Sequence, residues 1–310
     1  MNVLVLRALD PAQLTELSAL LTRCEQADHH PALAEPQRAA AVRADLGGHG
    51  ALIVLAYDDA SLIGCAFITP ALDGATALHV AVDPAHRGEP EGVQHELLET
   101  ALRQAKGADE IRLWIMQATD ADDATAFGLG FEPERDLVQM RVPLPLAPEI
   151  VATSRPVTTR PFQPGRDDAA WLSVNNQAFA DHPEQGRWTL DDLVEHMAFD
   201  WFDLEGFLVA DRPDGNGLLG SCWTKIHRTT DPVLGEIYVI SVDPAFAGQG
   251  WGRALTVAGL VWMASQGVTV GMLYVTGSNT AAVKLYQSLG FMVDHVDRSY
   301  VLGQTRPDPT

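Results

Sequence analysis

The sequence predicts a mixed α+β protein built as two tandem copies of one domain, each a mostly antiparallel central sheet flanked by helices. Three observations carry this. The 310 residues leave room for two domains at about 150 residues each. Val80-Ala81-Val82-Asp83-Pro84-Ala85 returns as Ile240-Ser241-Val242-Asp243-Pro244-Ala245, and the same offset of 160 pairs Gly88 with Gly248, Gly92 with Gly252, Gly107 with Gly267, and Leu129-Gly130-Phe131 with Leu289-Gly290-Phe291. Short apolar runs broken by turn residues precede one helical stretch in each copy.

Taken in order, Leu52–Tyr57 and Phe207–Ala210 read as strands, followed by the turn signals Asp58-Asp59 and Asp214-Gly215. Second strands at Leu62–Thr69 and Leu218–Lys225 make antiparallel hairpins of these pairs. Upstream, Gly64 pairs with Gly220 at offset 156 and Arg7 with Arg160 at 153, as loops of different length allow. The next strand, Ala75–Val82 or Gly235–Val242, runs into a glycine-bearing loop and then a helix over about 92–106 or 252–266. The later helix is apolar nearly all round (Leu255, Val257, Leu260, Val261, Trp262, Met263), which predicts packing inside the domain. A strand (Ile111–Met116; Val270–Val275), a short helix and a closing strand complete each copy. Pro143, Pro145, Pro148 and Pro156 bracket a stretch that can continue neither a helix nor a central strand. The expected boundaries are therefore domains at 1–146 and 157–303, a linker at 147–156 and a tail at 304–310.

Composition narrows the class. Lys and Arg total 21 against 41 Asp and Glu, a formal charge of −20, and clustered positive charge is what nucleic acid and anionic membrane surfaces select. Neither is an expected partner. Hydrophobic residues at 46% and charged residues at 20% suit a folded chain. The longest apolar run, Ala254 to Ala264, is far short of the roughly 20 residues that cross a bilayer. No basic leader precedes the first residues, so a cytoplasmic location is expected. Cys24, Cys65 and Cys222 are scattered and read as small buried hydrophobes. His182 and the His29-His30 pair have no metal-ligand company in the sequence, so no metal is expected.

Between strand and helix the second copy reads Val242-Asp243-Pro244-Ala245-Phe246-Ala247-Gly248-Gln249-Gly250-Trp251-Gly252-Arg253. Glycines at i, i+2 and i+4 let a ligand approach the main chain, and loop amides with the first N–H groups of a helix make an anion site suited to a pyrophosphate. A tight turn without a ligand is the alternative. The dinucleotide fingerprint does not apply, because its GxGxxG spacing is absent. The order strand, Val-Asp-Pro, glycine loop, helix, strand, Asn279, then Ala281-Ala282-Val283-Lys284-Leu285-Tyr286 and Leu289-Gly290-Phe291 resembles the GNAT family of acetyl-CoA-dependent N-acetyltransferases. In that family the loop carries (Arg or Gln)-x-x-Gly-x-(Gly or Ala), and here Ala247 stands at the first position. The resemblance is specific from about Gly235 to Phe291 and weaker in the first copy.

That resemblance implies two tandem GNAT domains, acetyl-CoA as co-substrate, and a set of contacts. Ile240, Ser241, Val242, Ala247, Gly248, Gln249, Gly250, Trp251, Gly252, Arg253, Asn279, Thr280, Ala281, Ala282, Val283 and Lys284 would hold it. Tyr286 stands where the family has the tyrosine that protonates the coenzyme A sulfur. Glu236 lies on the face of Tyr238 and Ile240 by period-two alternation and would take the amine proton. At offset 160, Gly250 becomes Pro90, Tyr286 becomes Ala126, Asn279 becomes Thr119 and Glu236 becomes Thr76. The first copy is thus expected to be catalytically silent, with Val80, Ala81, Val82, Gly88, Glu89, Pro90, Glu91, Gly92 and Val93 as the corresponding cofactor-binding candidates.

Further strings, among them Val174-Asn175-Asn176-Gln177-Ala178-Phe179, His182-Pro183-Glu184-Gln185-Gly186, Trp223-Thr224-Lys225, Gly235-Glu236-Ile237-Tyr238-Val239 and Met272-Leu273-Tyr274-Val275, resemble the tandem branch of that family that makes mycothiol. The implied acceptor is the cysteinyl amine of 1D-myo-inositol 2-(L-cysteinylamino)-2-deoxy-α-D-glucopyranoside, a cysteinyl glucosaminyl-inositol. Glu184, Lys225, Glu236 and Tyr274 would contact it, with Glu35 reaching in from the first copy. A monomer is expected. Two other readings stay open: a tandem N-acetyltransferase for another small amine, such as an aminoglycoside or polyamine, and a non-catalytic acetyl-CoA-binding module.

Overall fold

The computed structural model describes residues 1–28, 30–33, 51–71, 74–89, 91–180, 186–228 and 230–303. Glu35, Glu184 and Pro90 lie outside these, as do His29, His182 and the tail. Two compact units emerge, one of Met1–Leu137 with His295–Thr310, the other Val138–Asp294. They are not simply the two repeats. The first holds, in sheet order, β1 (Asn2–Leu6), β2 (Leu52–Asp58), β3 (Ser61–Pro70), β4 (Thr76–Val82), β5 (Glu110–Ile115) and the residues of β12 (Met292–Gly303) from His295 onward. The second holds the end of β6 (Glu132–Pro143), then β11 (Val270–Thr276), β10 (Leu234–Val242), β9 (Leu218–His227), β8 (Phe207–Asp211) and β7 (Arg160–Pro161). Each repeat's closing strand thus completes the sheet of the other unit.

Most neighbours run antiparallel, as expected, but β4 with β5 and β10 with β11 are parallel. Apolar side chains leave both faces of each sheet. In β2, Val54 and Ala56 join the core beneath α2 (Val93–Gln104), while Ile53 and Leu55 join the core under α1 (Pro11–Asp28). Burial on two faces is why this strand is a continuous apolar run rather than an alternating one. The helices α3 (Asp120–Gly128) and α4 (Pro148–Ala152) follow, the latter inside the stretch read as linker.

The second unit repeats the plan. Helices α5 (Asp168–Ala178) and α6 (Leu190–Met197) cover an aromatic core on one face, including Phe162, Trp171, Phe207 and Trp223. On the other face lie α7 (Trp251–Ser265) and α8 (Thr280–Ser288), over Ile237, Leu255, Leu260, Met263, Leu273 and Val275. Helix α7 packs inward as predicted except at Val261, which is 47% exposed. Gly259 permits the close approach: a Cβ there would sit 2.4 Å from Cys222 Sγ. All three cysteines are buried and unpaired. Among the described residues no helix is long and apolar enough to cross a membrane.

Met140 and Val142, from the first repeat's closing strand, and Leu144 just after it are at most 7% exposed in the second unit's core. Losing side chains of this kind costs about 1–5 kcal/mol each, against a total domain stability of about 5–15 kcal/mol. The second repeat expressed alone, as 157–303, is therefore expected to show no cooperative thermal transition by calorimetry, whereas the full chain melts cooperatively.

Candidate functional site

Strands β10 and β11 start as a parallel pair, with Leu234 opposite Val270 and Ile237 opposite Leu273. The register stops there, although β10 continues to Val242 and β11 to Thr276. At the same point β10 bulges against β9: Thr224 faces Ile237, and Trp223 faces Val239. Tyr238 is the extra residue. A bulge breaks the period of two, so Tyr238 and Val239 both turn to the aromatic core while Ile237, Ile240 and Val242 pack toward α7. Glu236 therefore shares a face with Tyr238 but not with Ile240, which corrects the alternation read from sequence.

Polar groups collect on the Glu236 face. Glu236 is 8% exposed, and its Oε2 accepts a hydrogen bond of 2.7 Å from His227 Nε2. Lys225 lies opposite it on β9, its Nζ 4.6 Å above the Trp201 ring and 5.6 Å from that of Tyr238, distances at which a cation is attracted by an aromatic face. On β11, Met272 adjoins Glu236, and Tyr274 follows on the same side. Gln139 Nε2 donates to the Tyr274 hydroxyl at 2.8 Å, while Gln139 Oε1 accepts from Arg141 Nε at 2.8 Å. Arg141 in turn reaches Asp294 at 3.2 Å. The arginine fixes which way the Gln139 amide points, so that its N–H donates to the tyrosine oxygen.

Across the sheet, Tyr286 on α8 is buried in the core of Ile237 and Val275, its ring 5.8 Å from that of Phe291. Burial, with a smaller contribution from Cys222, pushes its phenol up to about 12. Asn279 caps α8, its side chain accepting from the Ala282 N–H at 3.1 Å. Glu236 and Tyr286 thus belong to opposite faces at the place where β10 and β11 part.

Beyond Val242 the chain makes a short 3-10 turn, Pro244–Phe246, pinned by the Asp243 carboxylate, which accepts the Ala245 N–H at 2.9 Å and pairs with Arg212. Gly248 (φ 72°) and Gly250 (φ 83°) take left-handed conformations with nothing within 4 Å of where a Cβ would stand, and Gly250 is the N-cap of α7. The amides opening α7 precede its first intrahelical partner and face outward. This is a backbone surface that an anion can reach. Arg253 is turned aside to Ser288 Oγ at 2.7 Å. Arg155, which the sequence reading missed, stacks 3.7 Å above the Trp251 ring and donates to the Gln249 carbonyl at 3.1 Å. It brings a cation to the loop whose first motif position is Ala247. Ala281 and Lys284 are exposed, and Ala282 and Val283 half-buried.

The first copy differs at each of these points. Its parallel pairing continues to His79 opposite Trp114, and β3–β4 runs without a bulge. Helix α2 begins at Val93, the counterpart of Arg253, two residues later than α7 does. The Gly92 N–H is spent on the Glu89 carbonyl at 3.0 Å, and a Cβ on Gly92 would come within 2.9 Å of Glu89. Arg87 points inward, to the Val82 carbonyl and the Asp28 carboxylate. Outside both loops, His30 is buried in company that the sequence did not disclose, His295 and Asp297.

Comparison with known proteins agrees with this geometry. The profile of the acetyltransferase (GNAT) family matches residues 14–131 and 171–291. A mycothiol acetyltransferase of Thermobispora bispora is 44% identical over 82% of this chain and 84% of its own length. Those of Frankia alni and Streptomyces griseus are 40% and 41% identical, over 94% and 96% of this chain and 92% and 95% of theirs. Among solved structures, a GCN5-related N-acetyltransferase from Sphaerobacter thermophilus superposes with a TM-score of 0.73 at 23% identity, covering 98% of this chain and 96% of that one. A tandem GNAT protein from the clavulanic acid biosynthesis pathway gives 0.65 at 13%, covering 99% of each. At these identities the likeness is one of fold.

Replacing Gln139 by Leu leaves Arg141 Nε without its side-chain acceptor and Tyr274 without its donor. Both partners are half-buried, so the cost is that of two lost hydrogen bonds at about 0.5–1.5 kcal/mol each, and Gln139→Leu should lower the melting temperature by about 2–10 °C, read by calorimetry.

Proposed function

The chain belongs to the acetyltransferase (GNAT) family, and on that premise we propose that its second copy transfers acetyl from acetyl-CoA to the cysteinyl amine of 1D-myo-inositol 2-(L-cysteinylamino)-2-deoxy-α-D-glucopyranoside, giving mycothiol and coenzyme A. The observation that carries the reading is the parting of β10 from β11 between Glu236 and Tyr286. Its support is an alignment, over nearly the whole chain, with relatives named for that product.

The residues fit acetyl-CoA. The open main chain at Gly248 and Gly250, with the amides that begin α7, suits a pyrophosphate, and Arg155 adds a cation. The free edge of β10 from Val239 to Val242 offers backbone groups for an extended amide-bearing arm, which would dock as an added strand. When bound, the co-substrate supplies an activated acetyl thioester. A β10 backbone N–H directed at the thioester carbonyl would stabilise the negative charge that develops on its oxygen.

Glu236, held by His227, accepts a proton from the incoming ammonium or amine. Lys225, Tyr274 and the carboxylate of Glu236 give the acceptor's hydroxyl and amine groups their partners, and Glu184, outside the described residues, completes that set in this reading. Tyr286 carries its proton at neutral pH, as any phenol does and the more so with its pKa raised by burial, and delivers it to the departing sulfur. The first copy contributes a strand rather than chemistry.

A thiol-release assay with the cysteinyl pseudodisaccharide tests the acceptor: turnover is expected with it and not with aminoglycosides or polyamines. Coenzyme A release only with another amine would refute the mycothiol reading, and release with none would leave a binding module. Tyr286→Phe should lower kcat about 10²-fold with the KM for acetyl-CoA changed less than about twofold, since ring packing survives. Arg155→Ala should do the reverse, raising that KM about fivefold (about 1 kcal/mol for a lost exposed charge contact) at nearly constant kcat.

A further inference from the structure

His295 and Asp297 stand two residues apart on β12 and so leave the same face of the strand. Just beyond α1, His30 meets them: its ring lies edge-on to that of His295, with centroids 4.3 Å apart. His30 is 5% exposed and Asp297 2%. One donor atom from each of the three falls within 4.8 Å of the others. All three belong to the unit of Met1–Leu137 and His295–Thr310.

Three details go beyond proximity. His295 Nε2 and Asp297 Oδ1 are 3.5 Å apart, long for a hydrogen bond but close to the separation of about 3.4 Å between two ligands of a tetrahedral ion with bonds of about 2.1 Å. His30 Nδ1 lies 2.8 Å from the Pro31 carbonyl; a carbonyl can only accept, so Nδ1 donates there, an outer hydrogen bond of the kind that orients metal-bound histidines. The Asp297 carboxylate is itself oriented by the Gln117 N–H at 2.9 Å, from a residue at φ 50°.

We propose that His30, His295 and Asp297 form a binding site for one divalent transition-metal ion of the zinc class. Two imidazoles and a carboxylate are the donor set such ions take, with a fourth position left for water or another ligand. The bound cation offsets a carboxylate buried away from solvent and ties the segment after α1 to the start of β12. The ligands must be deprotonated, so binding weakens in acid.

Untagged full-length protein, stripped with a chelator, is titrated with Co(II) in metal-free buffer. One equivalent is expected to bind with visible ligand-field bands and without the intense near-ultraviolet band of thiolate ligation, to be displaced by Zn(II), and to raise the melting temperature. Asp297→Asn, which retains the acceptor for Gln117, and His295→Gln should each weaken Zn(II) binding at least tenfold, with metal-free melting within about 3 °C of the metal-free parent. No stoichiometric uptake by the parent protein, a thiolate spectrum, or undiminished affinity in both variants would overturn the site. If His295→Gln does not fold, Asp297→Asn and the parent spectrum decide it.

Discussion

Two parallel strands that cease to pair halfway along their length are the constraint on which the rest of the second unit depends. Past Ile237 and Leu273, β10 and β11 diverge, and backbone donors and acceptors on their facing edges are offered to a ligand rather than to each other. Packing on both sides holds them apart. On one side the bulge turns Tyr238 and Val239 into an aromatic cluster, with the Tyr238 ring 4.8 Å from Trp201 and 5.6 Å from Trp223. On the other, Val275, Tyr286 and Leu289 fill the wedge beneath α7 and α8. The glycine loop lies at the end of the same strand, so the amides proposed to hold an anion and the edge of β10 would form one continuous track.

The first unit is a built-in comparison. From β2 onward its described elements follow the order of those from β8, yet its parallel pair stays zipped to His79, two residues beyond the counterpart of Ile237. Burial pushes His79 down to about 4, so this imidazole stays neutral and makes no cation in the core. Its loop spends a glycine amide on its own carbonyl and directs its arginine at Asp28. The catalytic silence proposed for the first copy would therefore rest on backbone as well as on the missing Glu and Tyr.

Features that depend on local pattern were legible in the sequence: the strand–loop–helix order, the glycine positions, the inward packing of α7. A repeat with a fixed offset made two copies visible, because equivalent turns and cores demand equivalent residues. What escaped was set by long-range pairing. Period-two alternation put Ile240 beside Glu236, and no residue at Tyr238 announces a bulge; the aromatic core across the sheet decides it. Gln139 and Arg141 lie in the first repeat by number, and only strand order brings them beside Tyr274. His30 and His295 are likewise joined only by the closing of a sheet.

The exchange of closing strands bears on how such a chain can evolve. After a duplication, a superfluous copy is ordinarily free to be deleted or to decay as a whole. Here each half lends its last strand to the other's core, so neither can be discarded. On the proposed reading, substitutions that erase a reactive group in the first copy leave the sheets intact, while one at Met140 or Val142 strikes the second unit's core. Such a chain can keep the scaffold of its first copy while the groups proposed to react there are lost, because part of that scaffold is the other half's core.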